Sequence, residues 1–264
     1  KIEFQGIKSK KLQEHVYKNL LLKNKSSFVK RLAKKDLNNL KNALKTSGYY
    51  FAEAQLEIKE NANDSIDLIY NINLGEKALI AKINFYGNKI FKDRKLRNLI
   101  TSEEAKPWKF ISNKKYLDET RIDLDNRLLK NYFLNKGYYN VDVTSSFASY
   151  IKESDFELTF TINAGKKFVL NDIDLIIPAD FNPKVFDKIV SLSNDLKGKN
   201  YSLLEIEKIL KLIERISLMN DYEFMDATID EKIIDNNKLD IKIIIEENKD
   251  KYFVNEINIF GNTI

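Results

Sequence analysis

One phrase recurs along this chain of 264 residues and fixes the size of what it can fold into. Ile2-Glu3-Phe4-Gln5-Gly6 returns as Ile83-Asn84-Phe85-Tyr86-Gly87 and again as Ile257-Asn258-Ile259-Phe260-Gly261. The three glycines stand 81 and then 174 residues apart, the second interval being twice 87. A period of about 80 to 90 residues is too long for a solenoid unit, which needs neighbours to bury its core, and suits a string of small complete domains. The expected boundaries are 1–77, 78–167 and 168–250, with 251–264 supplying the first strand of a further copy. Lys1 heads no signal-peptide pattern and the last copy stops after one strand, so the sequence reads as a fragment of something larger.

Each copy runs strand, turn, short helix, long amphipathic helix, then two strands. In the middle copy 81–86 alternates apolar and polar, Gly87-Asn88 permits a positive-φ turn, and Asp93 is placed to cap a helix carrying Leu96, Leu99 and Ile100. A second helix over 114–136 presents Leu117, Ile122, Leu128, Leu129, Tyr132 and Phe133 on one stripe, and Gly137 suits its left-handed stop. Strands at 138–148 and 156–162 follow. The first copy places the helix at 27–47, the stop at Gly48 and strands at 49–59 and 66–74. In the third, Ile177-Pro178 replaces the glycine turn, Asn182-Pro183 opens the next helix, and Asp221 stands where Gly48 and Gly137 stood.

Chain direction then sets the topology. Two antiparallel helices over one face return the third strand parallel to the first, while strands two and three form a hairpin. The third strand is the most apolar, as in 239–245, and belongs in the centre. The expected fold is α+β, a tandem array of βααββ domains, each a three-stranded mixed sheet with two helices on one face. Strand two becomes an open edge with unpaired backbone groups, able to take an extended segment by β-augmentation. The candidate edge is Tyr139, Asn140, Val141, Asp142, Val143 and Thr144, with Tyr50, Phe51, Ala52 and Glu53 as its counterpart in the first copy. The pairs Tyr49-Tyr50 and Tyr138-Tyr139 put one ring on each face of the strand, and Trp108 with Phe110 is expected to pack between the helices.

Composition narrows the function. The 44 basic and 39 acidic residues are interspersed, with a net charge of +5, and no half of the chain is a basic tail. A nucleic-acid-binding array would need Lys and Arg beside outward aromatics on a sheet face, whereas here the basic residues lie in helices and turns among acids. There is no cysteine, and no apolar run approaches the roughly 18 to 20 residues of a membrane-spanning helix. His15 is the only histidine, which leaves no His-based relay or multi-histidine metal site. Asp123 with Asp125 and Glu246 with Glu247 read as solvated positions, and the glycines are single rather than a phosphate loop. No catalytic, metal or cofactor site is expected. The junctions at 75–78 and 165–167 carry a glycine and are expected to hinge more than 248–250, which carries none.

The Ile-x-Phe-x-Gly-Asn opening, the helix pair, the helix-ending Gly-Tyr and the run Leu128 to Tyr138 (LLKNYFLNKGY), with Pro107-Trp108-Lys109-Phe110 before it, resemble POTRA domains. These are the polypeptide-transport-associated repeats that precede outer-membrane barrel assembly and secretion proteins. The resemblance covers essentially the whole chain and implies the second, third and fourth domains of such an arm and the start of the fifth. It implies a position on the periplasmic face of the bacterial outer membrane, with membrane attachment through a C-terminal barrel outside this chain. It further implies unfolded outer-membrane β-barrel proteins and accessory lipoproteins as partners, or the cargo of a related secretion barrel.

Overall fold

The computed structural model describes residues 1–62, 65–87, 90–108, 112–149, 154–220, 222, 225–235 and 237–247. The first repeat comprises β1 (Ile2–Gln5), α1 (Lys10–Asn19), α2 (Lys30–Thr46), β2 (Glu53–Glu60) and β3 (Ile66–Asn73). The second comprises β4 (Leu79–Gly87), α3 (Asp93–Arg97), α4 (Glu119–Leu134), β5 (Asp142–Ser149) and β6 (Asp155–Asn163). The third comprises β7 (Val169–Ile176), α5 (Asp187–Leu196), α6 (Leu203–Met219), β8 (Met225–Asp235) and β9 (Lys238–Glu247). The expectations for Asn88, Lys109, Phe110, Asp221, 248–250 and 251–264 fall outside the described residues.

Three sheets result, ordered β1-β3-β2, β4-β6-β5 and β7-β9-β8. In each, the outer first strand pairs parallel with the centre, as Phe4↔Tyr70, Phe85↔Phe160 and Ile173↔Ile241 show, and the second pairs antiparallel. The mixed topology expected from chain direction is the one observed. Alternation puts Leu68, Tyr70 and Ile72 of β3 into the first core with Val16, Leu40 and Leu44 of the helices, and Ile241, Ile243 and Ile245 of β9 into the third with Ile206, Ile209 and Ile213. Gly87 has φ +93°, and a Cβ there would lie 2.2 Å from the Ile162 carbonyl oxygen, so only glycine lets the chain leave β4. By contact the chain divides into two compact units: Lys1–Lys130 with Asp142–Asn163, and Asn131–Val141 with Ala164–Ile264.

Five expectations need correction. The second strands begin four residues later than the alternation suggested. Gly48 and Gly137, at φ +95° and +94°, end their helices in a Schellman geometry, with Tyr49 N–H reaching the Leu44 carbonyl at 3.0 Å and Tyr138 N–H reaching that of Phe133 at 3.1 Å. A turn closed by Ala52 N–H on the Tyr49 carbonyl and by Val141 N–H on that of Tyr138 follows, so both tyrosine pairs sit in turns rather than across a strand. Asp125 is not solvated; it is fully buried in α4 and accepts from Thr101 N–H (2.5 Å), Thr101 Oγ1 (2.7 Å) and Ser102 N–H (3.0 Å). Asp36 of α2 does the same for Leu21 and Leu22. Trp108 is 72% exposed, because Pro107 lies in a stretch without helix, and Lys106 Nζ sits 5.8 Å above its ring. Asp93 is the first residue inside α3, whose cap is Lys92. Asn182, by contrast, caps the turn at Pro183–Phe186 as expected, accepting from Lys184 N–H at 3.2 Å.

Candidate functional site

A three-stranded sheet has two edges, and in each repeat the inter-helix segment attends to one of them. In the second repeat, Ile83 N–H donates to Glu104 Oε1 at 3.1 Å, its carbonyl accepts from Arg97 Nη2 at 2.9 Å, and the Ile80 carbonyl accepts from Ala105 N–H at 2.7 Å. In the third, Leu170 donates to the Lys199 carbonyl at 2.9 Å and accepts from Gly198 N–H at 2.7 Å. In the first, Ile2 N–H donates to Asn24 Oδ1 at 2.8 Å. The outer sides of β1, β4 and β7 are therefore engaged by their own loops at Ile2, at Ile80 and Ile83, and at Leu170. Among the described residues β2, β5 and β8 have no neighbour on their outer side.

Of the residues singled out in the sequence, Asp142, Val143 and Thr144 open β5 and Glu53 opens β2. Val143 and Ser145 are half-buried on the helix side, where Asn126 Nδ2 donates to Ser145 Oγ at 2.9 Å; Asp142, Thr144 and Ser146 are exposed on the other face. Tyr139, Asn140 and Val141 precede β5, Val141 buried; Tyr50, Phe51 and Ala52 precede β2. The third repeat adds what the sequence reading did not find. Between α6 and β8 lies a groove of about 320 Å³ lined by Leu210, Ile213, Ser217, Leu218, Met225 and Ala227, with Leu218 77% exposed at its mouth. The sequence signal was Leu218-Met219, two large apolar residues at the end of a helix whose buried stripe runs through Ile206, Ile209 and Ile213.

The two tyrosines that left the edge make joints. In the first compact unit, Tyr50 donates to Glu119 and packs edge-on against Phe147 at 5.7 Å, while Phe51 lies 5.5 Å from Phe156. Ala78 donates to the Gly48 carbonyl at 2.9 Å and accepts from Leu117 N–H at 2.9 Å, and Lys77 Nζ stands over the rings of Tyr49 and Tyr116. In the second unit, Tyr139 donates to Glu231 Oε2 at 2.6 Å and packs on Phe168 and Tyr201 at 5.5 and 5.0 Å. Phe168 donates to the Gly137 carbonyl at 2.8 Å and accepts from Tyr201 N–H at 2.9 Å, and Lys167 stands over Tyr138. The backbone half of the joint is built twice from equivalent positions, while the two tyrosine hydroxyls take different partners, Glu119 on α4 and Glu231 on β8. Burial and the bond to Glu231 push the Tyr139 hydroxyl up to about 12; burial, reinforced by the Glu119 bond, likewise raises that of Tyr50.

No cluster of His, Cys, Asp and Glu suited to a metal occurs among the described residues, and no helix there is long and apolar enough to cross a membrane. Tandem three-stranded sheets, each with helices between its first and second strands, define a modular repeat protein. The chain belongs to the POTRA family, described as surface antigen variable number repeat, which it matches over residues 1–75 and 78–165. It is similar to the outer membrane protein assembly factor BamA of Buchnera aphidicola, at 22% identity over 76% of this chain and 32% of that protein, and to BamA of Nitratidesulfovibrio vulgaris, at 22% over 88% and 30%. The chain thus spans about a third of the length of these curated relatives. Its fold is shared with the crystal structure of Haemophilus influenzae BamA POTRA3-5: TM-score 0.59, 15% identity, covering 93% of this chain and 94% of that one.

Proposed function

We propose that this chain is the periplasmic arm of an outer-membrane β-barrel assembly factor, in which modules 1–77, 78–167 and 168–250 hold unfolded barrel proteins in extended form and dock accessory lipoproteins. The observation that carries the reading is the asymmetry of the sheets. Each first-strand edge is bonded by its own loop near its start, and each second-strand edge offers a row of N–H and C=O groups. Strand addition there draws its affinity from backbone hydrogen bonds and makes few demands on side chains, as suits an arm that meets many barrel sequences. At β8 the groove beside α6, whose apolar wall of Leu210, Leu218 and Met225 is flanked by Glu214 and Asp226, accepts the alternate side chains of the guest.

Proline tests this, because it deletes one backbone donor. Along an edge strand, successive N–H groups point alternately into the ladder and out to solvent. Of Thr144→Pro and Ser145→Pro, the one that deletes the outward donor spares the β5–β6 pairing. That variant should stay folded and lose at least about tenfold in crosslinking to a synthetic ten-residue barrel-strand peptide, tenfold being about 1.4 kcal/mol. Two folded variants that crosslink as the parent does would exclude strand addition at β5.

A further inference from the structure

The loops that close the first-strand edges share a chemistry at one position. β4 and β7 each carry a bulge, between Ile80 and Lys82 and between Leu170 and Asp172, and the next residue, Ile83 or Ile173, turns its N–H away from the sheet. Both amides are met by a carboxylate that is itself paired with a cation. In the second repeat Glu104 accepts from Ile83 and is paired with Arg97, whose guanidinium also donates to the Ile83 carbonyl and lies 5.9 Å from the Phe85 ring centre. Lys106 Nζ holds the other oxygen of Glu104 at 3.8 Å. In the third, Asp172 accepts from Ile173 N–H at 3.0 Å and pairs with Lys197 at 2.5 Å. The carboxylate comes from the loop in one case and from the strand's own bulge in the other. The same arrangement is reached with different residues at different positions in the sequence.

We propose that Arg97 with Glu104, and Asp172 with Lys197, act as strand-mimicking clamps that close the first-strand edge of the second and third sheets and so determine which edge of those two sheets accepts an extended chain. The inference rests on the strand-addition reading and assigns these four residues a specificity role within it. A guest strand beside β4 must bond Ile83 and Ile80, whose outward groups are already bonded, two of them by charged partners. Charge-assisted bonds are roughly twice as strong as the neutral backbone bonds a guest would offer in exchange. The guest gains nothing there, whereas at β5 it displaces only water. A single acceptor edge fixes one binding orientation per repeat and prevents two repeats from joining through their first strands.

The test uses the full chain with the photoreactive residue p-benzoylphenylalanine in place of Tyr86 on β4 or of Thr144 on β5, and a biotinylated ten-residue peptide alternating Val or Tyr with Thr or Lys. The parent should crosslink from position 144 and not from 86. With Arg97→Ala and Glu104→Ala together, crosslinking from 86 should rise at least about tenfold while that from 144 is unchanged. A folded double variant without gain at 86 overturns the clamp, whatever 144 does. Absence of crosslinking from 144 in the parent would instead overturn strand addition at β5. Amide exchange needs no substitution: in the parent, Ile83 N–H should be protected at least about a hundredfold over an open amide. Exchange at the open rate would overturn the clamp even if the double variant failed to fold.

Discussion

Asp125→Ala is the substitution whose cost can be worked most directly from the geometry. The carboxylate is fully buried and accepts from two backbone amides, Thr101 and Ser102, and from the Thr101 hydroxyl. Alanine leaves the hydroxyl free to rotate toward another acceptor, but the amides are fixed where the chain turns after α3. A buried donor left unsatisfied costs about 1 to 3 kcal/mol, so two of them, partly relieved by water entering the vacated space, cost about 2 to 4 kcal/mol. Asp125→Asn keeps one acceptor oxygen and turns its NH2 group toward the second amide, which places it between parent and alanine. Urea unfolding gives the total, and amide exchange at Thr101 and Ser102 gives the location. The third repeat supplies the contrast: the equivalent helical position is Ile209, buried in the apolar core, so the aspartate serves the turn it caps and not the helix. A loss below about 0.5 kcal/mol in Asp125→Ala, with both amides still protected, would refute the assignment, since surface substitutions change stability by that much.

Two further outcomes follow from burial and from the joints. Leu129 is fully buried in α4, so Leu129→Ala should cost about 2 to 5 kcal/mol, with the loss of amide protection confined to the second repeat; equal loss across all three sheets would show one cooperative unit. Tyr139 has its hydroxyl raised above the ordinary value of 10 to about 12, so its contribution is complete below pH 10 and disappears as pH rises through 12; a 295 nm titration in which the parent and Tyr139→Phe show the same high-pH tyrosinate fraction per ring would contradict it.

Most of the fold was legible because the apolar periods were unambiguous. The alternation in 156–162 and the stripe through Leu129 and Phe133 both recur as buried faces, and the direction of the chain then left one sheet order. The start of the second strands was not legible. Gly-Tyr-Tyr looks like the head of an alternating strand, and only the hydrogen bonds that wrap Tyr49 and Tyr138 back onto their helices reveal a turn. Asp125 was misread for a related reason: a charged residue two places from another on a helix resembles a solvated face until the loop that needs its oxygens is in position. The candidate edge was half legible. Its strand could be found by elimination, but the closing of the opposite edge depends on Arg97 and Glu104 meeting Ile83 across a loop, and no local spacing encodes that.

The joints have a consequence for how such an arm changes length. Ala78 and Phe168 use the same two backbone groups on equivalent partners, each follows a lysine, and each receives a glycine-ended helix and a tyrosine from the repeat before it. The backbone half of the joint is therefore a standard coupling that belongs to the repeat type, whereas the partner of the tyrosine hydroxyl belongs to the particular pair of neighbours. Excising residues 78–167 would place Phe168 directly after Lys77 and offer the Gly48 carbonyl to the Phe168 N–H that Gly137 now accepts from. A change in repeat number would therefore keep the backbone half of the joint and need a new partner only for the tyrosine hydroxyl, while a cut inside a repeat must repack a core.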